Sequence, residues 1–489
     1  MTPLLTGPEA GPIITTKPEG SNTSDSEPDD PTQHTFTLTP GLLSTIHPTY
    51  SSLKNSLRTQ TRSLRNRLVS ITTDSQFVLR VAAAYALPLI PNARAGDWYV
   101  PPEQRGSNTS AYFKSTDGHT GQWGFSLRRL NLHVLECVGK YGGVVLVDST
   151  RRGKRFPDAL SRTVPVWIAV MNWCLFGAEF GKLFSLEQMV SGSEKVQIER
   201  LVPGFVGRFL ELGVDLSMYK QTITKPLRPI WVSPESTLPI SPPKFEEFTP
   251  VILLTASKMT RREGMEGEYI QGAGDDHEGW ATESGLTPPL FWHHHKKIMS
   301  TAEQDLLDLI KNLLPPPSLG ETTNITSSNI TRIGQTNVFI APTSSIPTLP
   351  STPPFDHIIC TSPTFPPFTE GTGNPTPSHY PIPNTAPGAK LFRKFLPEIT
   401  SSVTNPGGNV LVTCDTGEHV SPCVALVFLC MYYDDEGGFR RKLGEGEEEG
   451  VVGKTYIRRR LAWITTAKEG VNPARGFLNG VNASLMGRR

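Results

Sequence analysis

Four apolar residues in a row, Val144–Val147, run into Asp148, and the next seven positions carry Ser149, Thr150, Arg151, Arg152, Lys154 and Arg155. The run reads as a short buried strand, so the crowd of cations stands at the end of a core element. In α/β folds ligands gather at the carboxyl ends of strands, and Asp148, Ser149 and Thr150 occupy that place. Hydroxyls bond phosphate oxygens and arginines clamp them two at a time, so four cations in five residues suit a compact ligand with several phosphates. The same residues also read as a solvated surface, a basic import-like run or an RNA-backbone patch. Their position between a strand and the apolar run from Thr163 favours the small-ligand reading.

At 489 residues the chain has room for two or three domains, and a formal charge of +1 excludes a global field that draws in polyanions. Residues 1–35 are polar, Pro-rich and acidic, unlike a secretory signal, and read as disordered. The six cysteines form no CxxC and no zinc spacing, which suits reduced thiols in the cytoplasm. The apolar stretch 164–178 is short for a membrane span and contains Asn172, so it is expected to be a buried core helix.

Residues 36–314 read as a first domain of mixed strands and helices. Near its start Leu53, Leu57, Leu64, Leu68 and Ile71 share one helical face, with Lys54, Arg58, Arg62 and Arg65 on another. Near its end Ser300 and Glu303 fit a capping box for a helix with Leu306, Leu309, Ile310 and Leu313 inward. The Pro/Ser/Thr tract 315–350 reads as a linker. From 351 to 489 strands and helices alternate again: a strand at 355–361, a helix at 389–399, a strand at 409–415 and a helix from Ser421. A Gly/Glu-rich insertion covers 434–454, and Asn472 and Pro473 are expected to open a final helix. The fold class is α/β, with two such domains in series.

Three more constellations carry chemistry. Cys414, Asp415, Thr416 and Gly417 lie between a strand and a helix starting at Ser421, the layout of an anion cradle. This resembles the phosphate loop of dual-specificity phosphatases. However, the position six residues after Cys414 is Val420 where that motif has arginine, and no aspartate lies between Asp356 and Asp415 to serve as general acid. A relic that binds phosphate without hydrolysing it fits better than an active thiolate. Asp117 and His119 flank a Gly turn upstream of Arg128, Arg129 and His133, as a general base would, although such pairs are often structural. Asp275 and Asp276, followed by His277 and Glu278, offer oxygens to a hard cation.

The stretches at 113–133, 148–167, 272–292, 414–421 and 472–487 together resemble the fungal and plant initiator tRNA adenosine-64 2'-O-ribosylphosphate transferases, from about residue 40 to the end. The resemblance implies transfer of ribose 5-phosphate from 5-phosphoribosyl 1-pyrophosphate, with Mg²⁺, to a T-stem 2'-hydroxyl of initiator methionine tRNA. It also implies a phosphatase-like C-terminal domain. On that footing Ser149 to Arg155 would hold the donor phosphates, and Asp117 or His119 would take the hydroxyl proton. Asp148 or Asp275 would hold Mg²⁺ or stand near the cationic sugar, with Asp276 a further candidate ligand of the metal. Cys414 to Ser421 would hold a phosphate, and Arg58, Arg62, Arg128, Arg129, Lys390, Arg393 and Lys394 would meet tRNA. A monomer with no DNA or membrane partner is expected. Two rivals remain: a non-catalytic tRNA-binding protein, and a phosphatase working through Cys414.

Overall fold

The structure is a computed structural model that describes residues 63–487 except 94, 108–109, 152, 261–264, 267, 276–278, 315–329, 350–354, 366–373, 441–451 and 469. The run at 144–147 is the second strand of a parallel sheet built from β1 (Leu89–Pro91), β2 (Val144–Asp148), β3 (Leu227–Val232) and β4 (Thr249–Thr255), in the order β1-β2-β4-β3. Every residue of β2 and β4 is buried, which is why neither strand alternates in polarity.

Successive side chains supply the two faces. Val144 and Leu146 pack with Val251 and Leu253 under α2 (Leu132–Tyr141), α3 (Val164–Phe176) and α4 (Gly192–Leu210). Val145 and Val147 pack with Ile252 and Leu254 under α1 (Leu64–Tyr85) and α5 (Glu303–Leu313). The stretch expected as a core helix is α3, buried from Val164 to Asn172, and Asn172 bonds both backbone groups of Leu227 with its side chain.

A second sheet holds β7 (Thr331–Arg332), β8 (Val338–Pro342), β9 (His357–Cys360), β10 (Ser378–His379) and β11 (Val410–Cys414), in the order β10-β9-β11-β8-β7; β5 (Met265–Glu266) and β6 (Tyr269–Ile270) form a separate antiparallel pair. One face of this sheet is covered by α6 (Ala386–Ser402), α7 (Ser421–Tyr432), α8 (Lys454–Ala467) and α9 (Arg475–Met486). All twelve residues of α7 are buried, so it has no polar face. On the other face Ile358, Cys360 and Leu411 meet Ile346, Leu349 and Phe355.

Several expectations need correction. The tract 315–350 is not a linker throughout, because β7 and β8 lie within it and β8 is the parallel neighbour of β11. Buried Val338, Ile340 and Ala341 make that strand, and the surrounding Pro and Thr masked them in composition. Ser300 caps nothing: it ends a preceding short helix, its hydroxyl bonds Lys297 O, and α5 starts behind Ala302. α9 starts at Arg475, while Asn472 instead bonds the 414–421 loop, donating N–H to Glu418 O and accepting from His419 Nδ1. α1 begins at Leu64 with Ser63 capping Asn66 N–H, and Leu53, Leu57, Arg58 and Arg62 lie outside the described residues. Of the 434–454 insertion, Asp435 is pinned by Arg459 and by Arg460, whose buried guanidinium also stacks on Tyr456 and Trp463; 441–451 lie outside the described residues.

Candidate active site

The carboxyl edge of the first sheet gathers the loop after β2, the turn 270–275, Ser233 to Ser236 after β3, and Ser257 after β4. Asp148 is buried, and its two oxygens accept from Asn92 Nδ2 (2.8 Å) and Ser149 N–H (2.7 Å). Burial pushes its carboxyl up to about 7 against those hydrogen bonds, and the charges of Asp275 and Asp97 add to the rise. Gly272 has φ +68°, and a Cβ there would meet Thr150 O at 2.8 Å, so the 270–275 turn lies directly on the β2 loop.

Three of the four expected cations are brought to this edge, each with an acid or hydroxyl partner. Arg151 Nε reaches Asp275 at 2.7 Å, and Lys154 Nζ reaches Asp158 at 2.7 Å. Arg155 Nε donates to Ser233 Oγ at 3.0 Å and stands 3.7 Å from Glu235. All three side chains are about half exposed, so a more highly charged anion can exchange with these acids. Arg152 and Asp276 lie outside the described residues. Among the described residues no three of His, Cys, Asp and Glu gather as a metal site. Asp275 therefore meets the expectation of a metal ligand only as one carboxylate, already paired with Arg151.

Asp117 and His119 flank Gly118 in a 3-10 turn that packs on residues 158–163. His119 Nε2 is 3.8 Å from Asp158, which ties it through Lys154 to the cationic loop. Burial raises the Asp117 carboxyl, opposed by Lys114 and Arg128. Arg129 lies over Tyr112 at 4.5 Å and donates to Val471 O, joining the first sheet's shell to the second's; burial lowers it to about 10. With Arg128 it lines a cleft that also holds Glu418 and Lys468.

In the second sheet Cys414 Sγ sits 3.1 Å from Ser421 Oγ, and Asp415 accepts from Ser362 Oγ. Gly417 has φ +72°, and a Cβ there would stand 2.7 Å from Lys468 Nζ. Lys468 thus brings a cation to the loop from just beyond α8. Burial lowers its ammonium, while Glu418 and Cys414 hold it up. Lys390, Arg393 and Lys394 are exposed on α6.

The site has residues that the sequence reading missed. Asp74 of α1 is buried and accepts from Ser257 Oγ (2.7 Å) and Tyr269 OH (2.8 Å), and Ser257 Oγ is 2.7 Å from Ser149 Oγ. The one available signal is its spacing: Asp74 lies three residues after Ile71, on the apolar stripe itself.

Fold and site together define an α/β protein with two sheets, each carrying polar loops at the carboxyl ends of its parallel strands. A family model described as the Rit1 N-terminal domain matches residues 57–315, and one described as the Rit1 DUSP-like domain matches 376–485. A tRNA A64-2'-O-ribosylphosphate transferase of Saccharomyces cerevisiae is 31% identical over 503 residues, covering 90% of this chain and 96% of its own. An uncharacterized protein of Schizosaccharomyces pombe is 35% identical over 449 residues, covering 88% and 96%. Among solved structures, human DUSP28 covers 33% of this chain and 96% of its own at TM-score 0.24 and 11% identity, agreement too low to bear on the fold. The chain belongs to the Rit1 family of tRNA ribosylphosphate transferases, and its second sheet is the core of a phosphatase-like domain.

Proposed function

We propose that the protein is a pentosyltransferase that moves ribose 5-phosphate from 5-phosphoribosyl 1-pyrophosphate to the 2'-hydroxyl of a T-stem adenosine in initiator methionine tRNA. The observation that carries this reading is 31% identity across 96% of the yeast transferase. The cationic edge of the first sheet suits the donor chemistry. Breaking the C1–O bond leaves an oxocarbenium-like sugar and a diphosphate; Arg151, Lys154 and Arg155 neutralise the diphosphate, and Asp148 faces the sugar. Mg²⁺ carried on the diphosphate would neutralise it further. Asp275 would help to hold Mg²⁺, and a single carboxylate suits a metal that arrives with the ligand better than an all-protein cage. Asp117 or His119 takes the hydroxyl proton. Val420 at the arginine position of the phosphatase motif favours phosphate binding over hydrolysis by Cys414. The added phosphate marks the tRNA for initiation in the cytoplasm.

The test is incubation with Mg²⁺, labelled phosphoribosyl pyrophosphate and initiator tRNA. Label is expected on the RNA, and is expected to vanish in Arg151→Ala while tRNA binding persists. Tight tRNA binding with no transfer in the wild type would leave a non-catalytic binding protein.

A further inference from the structure

Ser257 has four polar neighbours, and its three shortest bonds limit where its proton can go. Its one hydroxyl proton and two lone pairs face Asp74 Oδ2 at 2.7 Å, Ser149 Oγ at 2.7 Å and the N–H of Gly272 at 3.1 Å. Gly272 is always a donor, so one lone pair is taken. The other lone pair and the proton must be divided between Asp74 and Ser149. Tyr269 OH accepts from Lys258 N–H and gives its own proton to Asp74 Oδ1, so only Oδ2 is left to respond. Tyr99 OH accepts from Gly274 N–H, lies farther from Ser257 Oγ at 3.4 Å, and also bonds Ser149.

Two proton arrangements follow. With Asp74 ionised, Ser257 donates to it, Ser149 must donate to Ser257, and Ser149 has only lone pairs left. With Asp74 protonated, Asp74 donates to Ser257, Ser257 donates to Ser149, and the Ser149 proton is released from Ser257, to go to Tyr99 OH or to a ligand oxygen. Ser149 stands between Asp148 and the cationic loop, and a phosphate oxygen accepts hydrogen bonds but does not give them.

We infer that Asp74 is a positioning residue that acts through Ser257 to decide whether Ser149 presents a proton or a lone pair, and that the proton-presenting state is the one that takes a donor phosphate. This rests on the transferase reading proposed above. Burial pushes Asp74 up to about 7, opposed by its bonds from Ser257 and Tyr269. Both arrangements are therefore populated near neutral pH. Among the described residues the titratable groups against Asp74 are Tyr269 of β6 and Tyr99 beyond β1, and burial raises both phenols further from neutrality.

The experiment is calorimetric binding of phosphoribosyl pyrophosphate with Mg²⁺ at pH 6 and pH 8.5, to the wild type and to Asp74→Asn. The asparagine amide donates permanently to Ser257 and so holds the protonated arrangement. The ligand's own titration is common to both proteins and cancels in the ratio of their Kd values. That ratio is expected near one at pH 6, with the wild type weaker by about tenfold at pH 8.5. A ratio unchanged with pH overturns the inference, and label transfer by the same wild-type sample then shows the transferase reading surviving without it. Donor bound at neither pH overturns both. Two buried carboxyls, Asp74 and Asp148, are expected to titrate near pH 7 in the infrared spectrum of the wild type, and loss of one of these two signals in Asp74→Asn supports the network; a titrating carboxyl signal unaltered by the substitution overturns it. Ser149→Ala, which removes the terminal proton, is expected to bind more weakly at pH 6 and to lose the pH dependence relative to Asp74→Asn.

Discussion

Asp148 and Asp74 are two carboxyls hidden at one sheet edge, and hiding them has a cost that depends on pH. Each has its folded value raised from 3.8 to about 7 by burial, so between those values the folded state holds more protons than the unfolded chain. Stability from these groups is therefore fully present below about 4, falls as pH rises toward 7, and is flat above it. Asp148→Asn is expected to remove a fall of up to about 3 kcal/mol, read as the difference in urea midpoints between pH 4.5 and pH 7.5. An unchanged pH dependence would mean that Asp148 is ionised and compensated in the fold. Asp148 was legible because an acid ending an apolar run is conspicuous. Asp74 was not, because an acid on a helix normally faces water and only its contacts with Ser257 and Tyr269 explain its inward position.

Among the elements, the turn between β11 and α7 is held by its backbone shape and by its neighbours together. Gly417 combines a left-handed backbone with a close approach to Ala341 and Lys468. Gly417→Ala is expected to destabilise by about 1–3 kcal/mol, measured as a lower urea midpoint with unchanged slope. A neutral result would show the loop free to move off β8. The strand, turn and helix were all legible here, since apolar runs and a Gly turn are local signals. Lys468 was not, because it lies 51 residues after Gly417 and only the packing of α8 returns it to the loop.

For the molecule as a whole, the exposed face of α6 is the place to test tRNA contact. Lys390, Arg393 and Lys394 are spaced to share one side of the helix, with Phe392 and Leu396 buried on the other. Reversing Arg393 and Lys394 to Glu is expected to weaken tRNA binding and to lower the slope of log affinity against log salt by about 2. An unaltered slope would move the contact elsewhere. The two-sheet plan was legible from the repeated alternation of strands and helices. The start of the second sheet was not, because a composition rich in Pro and Thr outweighed the short apolar alternation around Val338 and Ile340.

The pairing of β8 with β11 decides where this chain can be cut. A fragment beginning at 351 would carry β9, β10 and β11 but lose β8, leaving the backbone N–H and C=O groups of Val410–Cys414 bare along one side. A strand that is apolar throughout and open at its edge recruits other strands, so such a fragment is expected to precipitate or form dimers. A fragment beginning at 330 keeps β7 as its outer strand, with Arg332 on the exposed edge, and is expected to stay in solution as a single copy.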